Sequence, residues 1–252
     1  MNNVIASDKI KLKRTFIKPL SYLYPALILV IAFLVLSIQK DNLAVQYNNM
    51  WESMVVITHF IIIFMVPMAI TILTSNLSNI EHQNNSWKLL FSLPIAKSTF
   101  YFSKVFNIIR LCLISGMILF VGFIVIGKTL SFTGEIPYML LLKEALYPYL
   151  GALPIITFQL WLSIRFKNQA FPIAIGIFGA VCMFFLQMNK STTLLFWAYP
   201  AMMTPIKQEI ENNSLAEIVP NDDLGFFMLL SIVFGLIFMI IGVMSIHKQQ
   251  AE

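Results

Sequence analysis

His59, His82 and His247 are the side chains best suited to acid–base work or metal ligation, and their spacing supports neither. No His-Glu-x-x-His or paired-ligand pattern links them, so a metal site is not expected. His59 lies inside a long apolar run, where an ionisable residue is a functional candidate by default. The plainer reading is a histidine hydrogen-bonded between helices. Gln159, within another apolar run, has the same two readings. No glutamate pair of the kind an intramembrane protease needs falls within an apolar run. Cys112 and Cys182 also sit in apolar runs and read as small packing residues rather than a disulfide framework.

One pattern suggests nucleotide chemistry and must be refused. Gly122, Gly127, Lys128 and Thr129 match the phosphate-loop spacing G-x-x-x-x-G-K-[ST]. That pattern works where a strand turns through glycines into a helix, so that free backbone N–H groups cradle phosphate. Here the intervening residues are Phe-Ile-Val-Ile, at the end of an apolar run whose backbone is committed to helical hydrogen bonds. ATP binding is not expected at this place.

The elements that must position these residues are membrane spans. Hydrophobic residues make up 58% of the 252 residues and charged residues 12%, about half the charge of a typical soluble domain. Six apolar runs are expected to cross the bilayer as helices, near residues 20–38, 54–73, 111–126, 145–164, 171–188 and 226–246. No cleavable signal peptide is read at the start, because the first run is long enough to span. Residues 1–19 are basic and amphipathic, and are expected to form an elbow helix in the headgroup region. A nucleic-acid patch is the competing reading of these lysines, and the adjoining span argues against it. The fourth and fifth spans are joined by a tight turn around Arg165 and Asn168. Pro67, Pro154 and Pro172 are expected to kink or start helices, and Gly176 and Gly179 to allow close packing.

Orientation follows from charge. With the N-terminus inside, the inner segments hold twelve of the 17 cations and the outer segments five. Basic residues mark cytoplasmic loops, so both termini are expected inside. Nine of the 12 acids then lie outside, Glu144 among them, and only Asp8, Glu81 and Glu252 inside. The outer connection 189–225 contains an uncharged stretch, 191–206, interrupted by Pro200 and Pro205. It is too short to span and reads as a re-entrant or interfacial helix carrying Trp197 and Tyr199. Glu209, Glu211, Glu217, Asp222 and Asp223 follow as an acidic rim, either a cargo-attracting field or simply a solvated loop.

The long polar interval at residues 75–107 has a helical pattern of its own. Trp87, Leu90 and Phe91 fall on one face of a short helix, with Ser86 as its N-cap and Pro94 as its stop. Ser98 can cap the next helix, which carries Lys104 and Arg110. A solvated connector with Trp87 anchored at the interface is the alternative. The order Glu81, Asn85, Trp87, Lys88, Leu90, Phe91, Leu93, Pro94, followed by a downstream lysine, resembles the cytoplasmic loop of ABC-2-type exporter permeases. The basic opening Lys11, Lys13, Arg14 and the layout of the spans are also similar, closest to the permeases of lantibiotic and peptide-antibiotic immunity exporters.

That resemblance implies an all-α, six-span, non-catalytic transporter subunit in a bacterial plasma membrane, with residues 20–252 forming the transmembrane domain. It implies a coupling helix built from the eight residues from Glu81 to Pro94 just named, and a pair of cytoplasmic ATPases that bind ATP and magnesium. No cofactor is expected in this chain itself. A second permease copy or a homologous permease would complete the pathway, with His59, Gln159, Trp197 and Tyr199 as candidates to line it. The implied cargo is an amphipathic antimicrobial peptide. A lipid, glycan or small drug as cargo is the first alternative. A motor-free membrane protein that sequesters toxin or serves as a sensor scaffold is the second.

Overall fold

The computed structural model describes residues 15–46, 49–83, 97–186, 195–209 and 217–248. Eight α-helices occur among them: α1 (Ile17–Gln46), α2 (Met50–Gln83), α3 (Lys97–Thr129), α4 (Tyr138–Gly151), α5 (Leu153–Arg165), α6 (Ala170–Leu186), α7 (Tyr199–Met202) and α8 (Leu224–Lys248). All six expected apolar runs lie on helices as far as the described residues reach, the fifth to Leu186. Five helical stretches have the length and hydropathy to cross a membrane: 17–40, 50–83, 98–129, the α4–α5 pair at 138–165, and 224–246. The remaining apolar helix, α6, has 17 residues, about 25 Å at 1.5 Å per residue. Exposed leucines, valines and phenylalanines cover the outward faces of α1, α3 and α8, as expected for helices facing lipid.

The α2 helix is central, packed against α1, α5 and α6. It runs 34 residues, well beyond the expected 54–73, and buries Ser53, Thr58, His59, Thr71, Thr74, Ser75, Ser78 and Glu81 as well as its apolar residues. Several of these hydroxyls are satisfied within the helix, as when Thr58 and Thr74 donate to carbonyls three or four residues back. Asn49 starts α2 by accepting from the Trp51 N–H at 3.0 Å, and its amide reaches Glu52 at 3.2 Å. At this end of the bundle, Lys40 in the C-terminal part of α1 donates to Leu130 O at 2.7 Å, and Trp51 meets Phe132 edge to face. At the opposite end, where α2 stops and α3 starts, His82 bonds Ser163 O at 3.0 Å and ties α2 to the last turn of α5.

Prolines and the groups that relieve them explain much of the bundle's connectivity. A proline has no N–H, so it frees the carbonyl four residues earlier, and a bare carbonyl in lipid is costly. Pro25 frees Ser21 O, which accepts from Ser115 of α3 at 2.7 Å. Pro154 frees Leu150 O at the α4–α5 break, which accepts from Ser231 of α8 at 2.6 Å. Helix α7 ends at Met202, which leaves Ala201 O without a donor from a following turn, and His59 of α2 takes it at 2.9 Å. Each break in one element thus becomes a hydrogen bond to another.

Several expectations need correction. Residues 17–19, placed in the elbow, form the first turn of α1, and 1–14 lie outside the described residues. The polar interval begins later than residue 75, because α2 continues to Gln83, and it ends earlier than 107, because α3 starts at Lys97. The fourth span starts at Tyr138 rather than Ala145, which draws Glu144 into the bundle. The 122–129 stretch, by contrast, is continuous helix as expected: Gly122 packs under Leu29, Gly127 packs under Trp51, and Thr129 donates back to Val125 O at 2.8 Å. Its glycines serve helix packing. The 195–223 region holds a 3₁₀ turn (Phe196–Ala198), α7, and an antiparallel hairpin of β1 (Ile206–Glu209) and β2 (Glu217–Pro220) that periodicity did not reveal.

Candidate functional site

Two buried polar clusters sit near opposite ends of α2. The first joins His59 to Glu144, a residue read from sequence as an exterior acid. His59 Nδ1 lies 2.7 Å from Glu144 Oε1, and the Glu144 side chain is fully buried. His59 Nε2 lies 2.9 Å from Ala201 O, and the Thr204 hydroxyl lies 3.1 Å from Glu144 Oε2 and 3.0 Å from Ile206 O. Local sequence explains the placement. In α4, Leu141, Ala145 and Pro148 are buried at helical spacing around Glu144, so the carboxylate falls on the packed face.

Proton bookkeeping in this cluster follows from geometry. Ala201 O can only accept, so His59 Nε2 carries a hydrogen. The Nδ1···Oε1 bond then holds one proton, on either the imidazole or the carboxyl. The pair is electrically neutral as a unit in both cases. That is how two ionisable groups can sit between helices without a net buried charge.

These bonds fasten the 196–206 element onto α2 and α4. Asn221 extends the attachment by donating to Met202 O at 3.0 Å and Thr204 O at 2.9 Å, and Lys207 pairs with Asp223. Gly151 permits the contact: a Cβ there would lie 2.7 Å from Tyr199 O. Tyr199 is buried against Phe227 and Phe234, and Trp197 stacks on Phe196 with ring centres 4.0 Å apart and packs under Gly179. The element therefore packs back onto the bundle against α2, α4 and α8. Asp222 and Asp223 of the acidic rim are exposed; the side chains of Glu209, Glu211 and Glu217 lie outside the described residues.

The second cluster is at the far end of α2. Glu81, expected on the docking loop, occupies the last turn of α2 and is buried, 2.7 Å from Lys104 of α3. Lys104 is also buried, with its ammonium 4.9 Å from the centre of the Phe100 ring. The ion pair bolts together the two helices at the roots of the 84–96 segment. The remaining coupling residues, Asn85, Trp87, Lys88, Leu90, Phe91, Leu93 and Pro94, lie outside the described residues.

Of the four candidate path residues, the structure brings His59, Trp197 and Tyr199 into one region through the 196–206 element. Gln159 stands apart. Its amide donates to Pro172 O at 2.6 Å, and it flanks Gly176, where a Cβ would lie 2.9 Å from Gln159 Oε1 and press on Thr71. Sequence reasoning missed Glu144 because an acid at the edge of an apolar run reads as solvated. It missed the burial of Glu81 because polarity alone marked the end of the span. Among the described residues, no three His, Cys, Asp or Glu side chains gather where they could hold a metal ion.

No curated protein sequence matches the chain. The family model described as "ABC-2 family transporter protein" matches residues 4–183, from before α1 into α6. With that match covering more than two thirds of the chain, and with five apolar helices of membrane length, the protein is a multi-pass membrane protein that belongs to the ABC-2 transporter family.

Proposed function

We propose that this chain is the permease subunit of an ATP-driven exporter that moves amphipathic antimicrobial peptides outward. Six spans, with both termini cytoplasmic, leave the 84–96 segment where a cytoplasmic ATPase dimer docks. ATP and its magnesium ion bind in that partner. A second permease copy or a homologous permease completes the pathway, in a bacterial plasma membrane.

The observation that carries the reading is the pair of polar clusters on one continuous helix. Glu81 and His59 are 22 positions apart on α2, about 33 Å along its axis, close to the full depth of the hydrocarbon core. A push on the docking segment passes through the Glu81–Lys104 pair into α2 and α3. At its other end, α2 holds the 196–206 element through His59. Closure of the ATPase dimer thereby changes which contacts that element makes, the differential interaction that any coupled two-state conversion requires. Trp197 and Tyr199 supply the apolar surface of the exit and the acidic rim supplies its field, which favours a cationic amphipathic cargo.

The test is transport in proteoliposomes containing the chain and its ATPase. ATP-dependent movement of a fluorescent cationic amphipathic peptide, reduced by Trp197→Ala, supports the reading. ATP-dependent movement of a lipid or an uncharged drug, with the peptide left in place, would replace the cargo assignment while keeping the permease.

A further inference from the structure

We propose that the groove between α1 and α3 is a binding site for an anionic phospholipid, with Arg110 on the phosphate and one acyl chain along the groove. The groove encloses about 730 Å³ and is lined by Arg110, Leu113, Met117, Val121 and Val125 of α3 and by Leu29 of α1. Arg110 is its one charged lining residue.

Arg110 stands at headgroup depth. It and Lys128 bracket 17 uncharged residues of α3, and the two lie 18 positions apart, about 27 Å, close to the roughly 30 Å hydrocarbon thickness. Its Nε is buried and has no hydrogen-bond partner. The acids buried nearest it in the chain are already engaged, Glu81 with Lys104 and Glu144 with His59. A guanidinium at the membrane boundary without a counter-ion among the described residues calls for an anion from outside, and the guanidinium fork fits a phosphate.

The rest of the groove suits a hydrocarbon chain. Leu113, Met117, Val121 and Val125 recur every fourth residue and are about half exposed, forming one continuous ridge. Gly122 leaves a gap in the neighbouring row, and the Leu29 side chain from α1 lies over it and forms the second wall. From Arg110 to Val125 is 15 positions, about 22 Å, longer than the roughly 15 Å of one leaflet. Charge at the boundary and a matching apolar track below it are the two parts of a phospholipid in order.

The test uses the full chain in nanodiscs of either phosphatidylglycerol or phosphatidylcholine, with retained lipid counted by native mass spectrometry after transfer to detergent. The expected result is one retained phosphatidylglycerol per chain and a raised melting temperature in that lipid alone. Arg110→Gln should lower retention at least tenfold while leaving the melting temperature in phosphatidylcholine unchanged. Met117→Trp, which keeps the arginine and fills the groove, should lose the lipid too. Equal retention of both lipids, wild-type retention by Arg110→Gln, or the same stabilisation by inorganic phosphate alone would overturn the proposal. So would cross-linking of two Met117→Cys chains through this face in phosphatidylglycerol nanodiscs, which would give the groove to a second copy.

Discussion

Glu81 is the residue at which reading the sequence and reading the fold predict different experiments. Placed on a solvated loop, Glu81→Ala would leave folding intact and impair only the contact with the ATPase. Placed 2.7 Å from a buried Lys104, it leaves an ammonium without its counter-ion. Breaking a buried pair from one side costs about 3–5 kcal/mol. The Phe100 ring, 4.9 Å from the ammonium, makes its cation–π contact with or without Glu81 and so does not offset that loss. The expectation for Glu81→Ala is therefore a loss of about 3–5 kcal/mol, a large share of the 5–15 kcal/mol that holds a typical protein folded. Removing both charges with apolar residues of similar volume, Glu81→Leu with Lys104→Met, should recover most of that loss. Unfolding by denaturing detergent, followed with an engineered fluorescent label, gives the stability of Glu81→Ala and of the cycle formed by the wild type, Glu81→Leu, Lys104→Met and the double variant. A single variant as stable as the wild type, or a double variant less stable than either single, would refute the buried-pair reasoning. The stable double variant then separates the two roles: normal ATP-driven transport makes Glu81 a bolt, and loss of transport with normal stability makes it a coupling residue.

Three further outcomes follow from the same packing. Glu144→Gln should cost under about 1 kcal/mol, because the amide can donate to His59 Nδ1 and still accept from Thr204, whereas Glu144→Leu leaves a buried imidazole nitrogen bare and should cost about 1–3 kcal/mol; melting temperatures of the two variants decide it. Ser231→Ala removes the donor to Leu150 O at the Pro154 break, and should cost about 1–2 kcal/mol and increase hydrogen exchange around Gly151. Single cysteines at Asn84 and Asn213, with Cys112 and Cys182 removed, should label from opposite sides: an impermeant maleimide on whole cells should reach position 213 and miss position 84, and labelling of both would overturn the proposed orientation.

Hydrophobic runs made the helices legible, because only a helix satisfies its own backbone in lipid. Their ends were less legible. A helix does not stop where the bilayer does, and α2 continues through Ser75 and Glu81 because α5 supplies Ser163 to the first and α3 supplies Lys104 to the second. Prolines announced the breaks at Pro154 and Pro205, but nothing in one sequence said that Ser231 would cap the carbonyl Pro154 frees, or that His59 would cap Ala201 O near the end of α7. Glu144 was hidden for the same reason, since its partner lies 85 positions away. Pairing across such distances is a property of the packed bundle, and no local pattern encodes it. The hairpin at 206–220 was missed because its strands are four residues each and follow an apolar, proline-broken stretch that reads as helix.

The central claim is that this permease works through an ATPase that grips the 84–96 segment. The most direct measurement is affinity purification of the chain from its native membrane in mild detergent, with bound ATPase quantified by mass spectrometry and by ATP turnover. The account predicts a stoichiometric ATPase subunit that is lost from Trp87→Ala, since truncating an aromatic anchor costs about 2 kcal/mol or more at an interface. The same variant should accumulate in the membrane at the wild-type level. A purified chain free of any ATPase, or one that keeps its ATPase fully when Trp87 and Leu90 are both replaced by alanine, would contradict it.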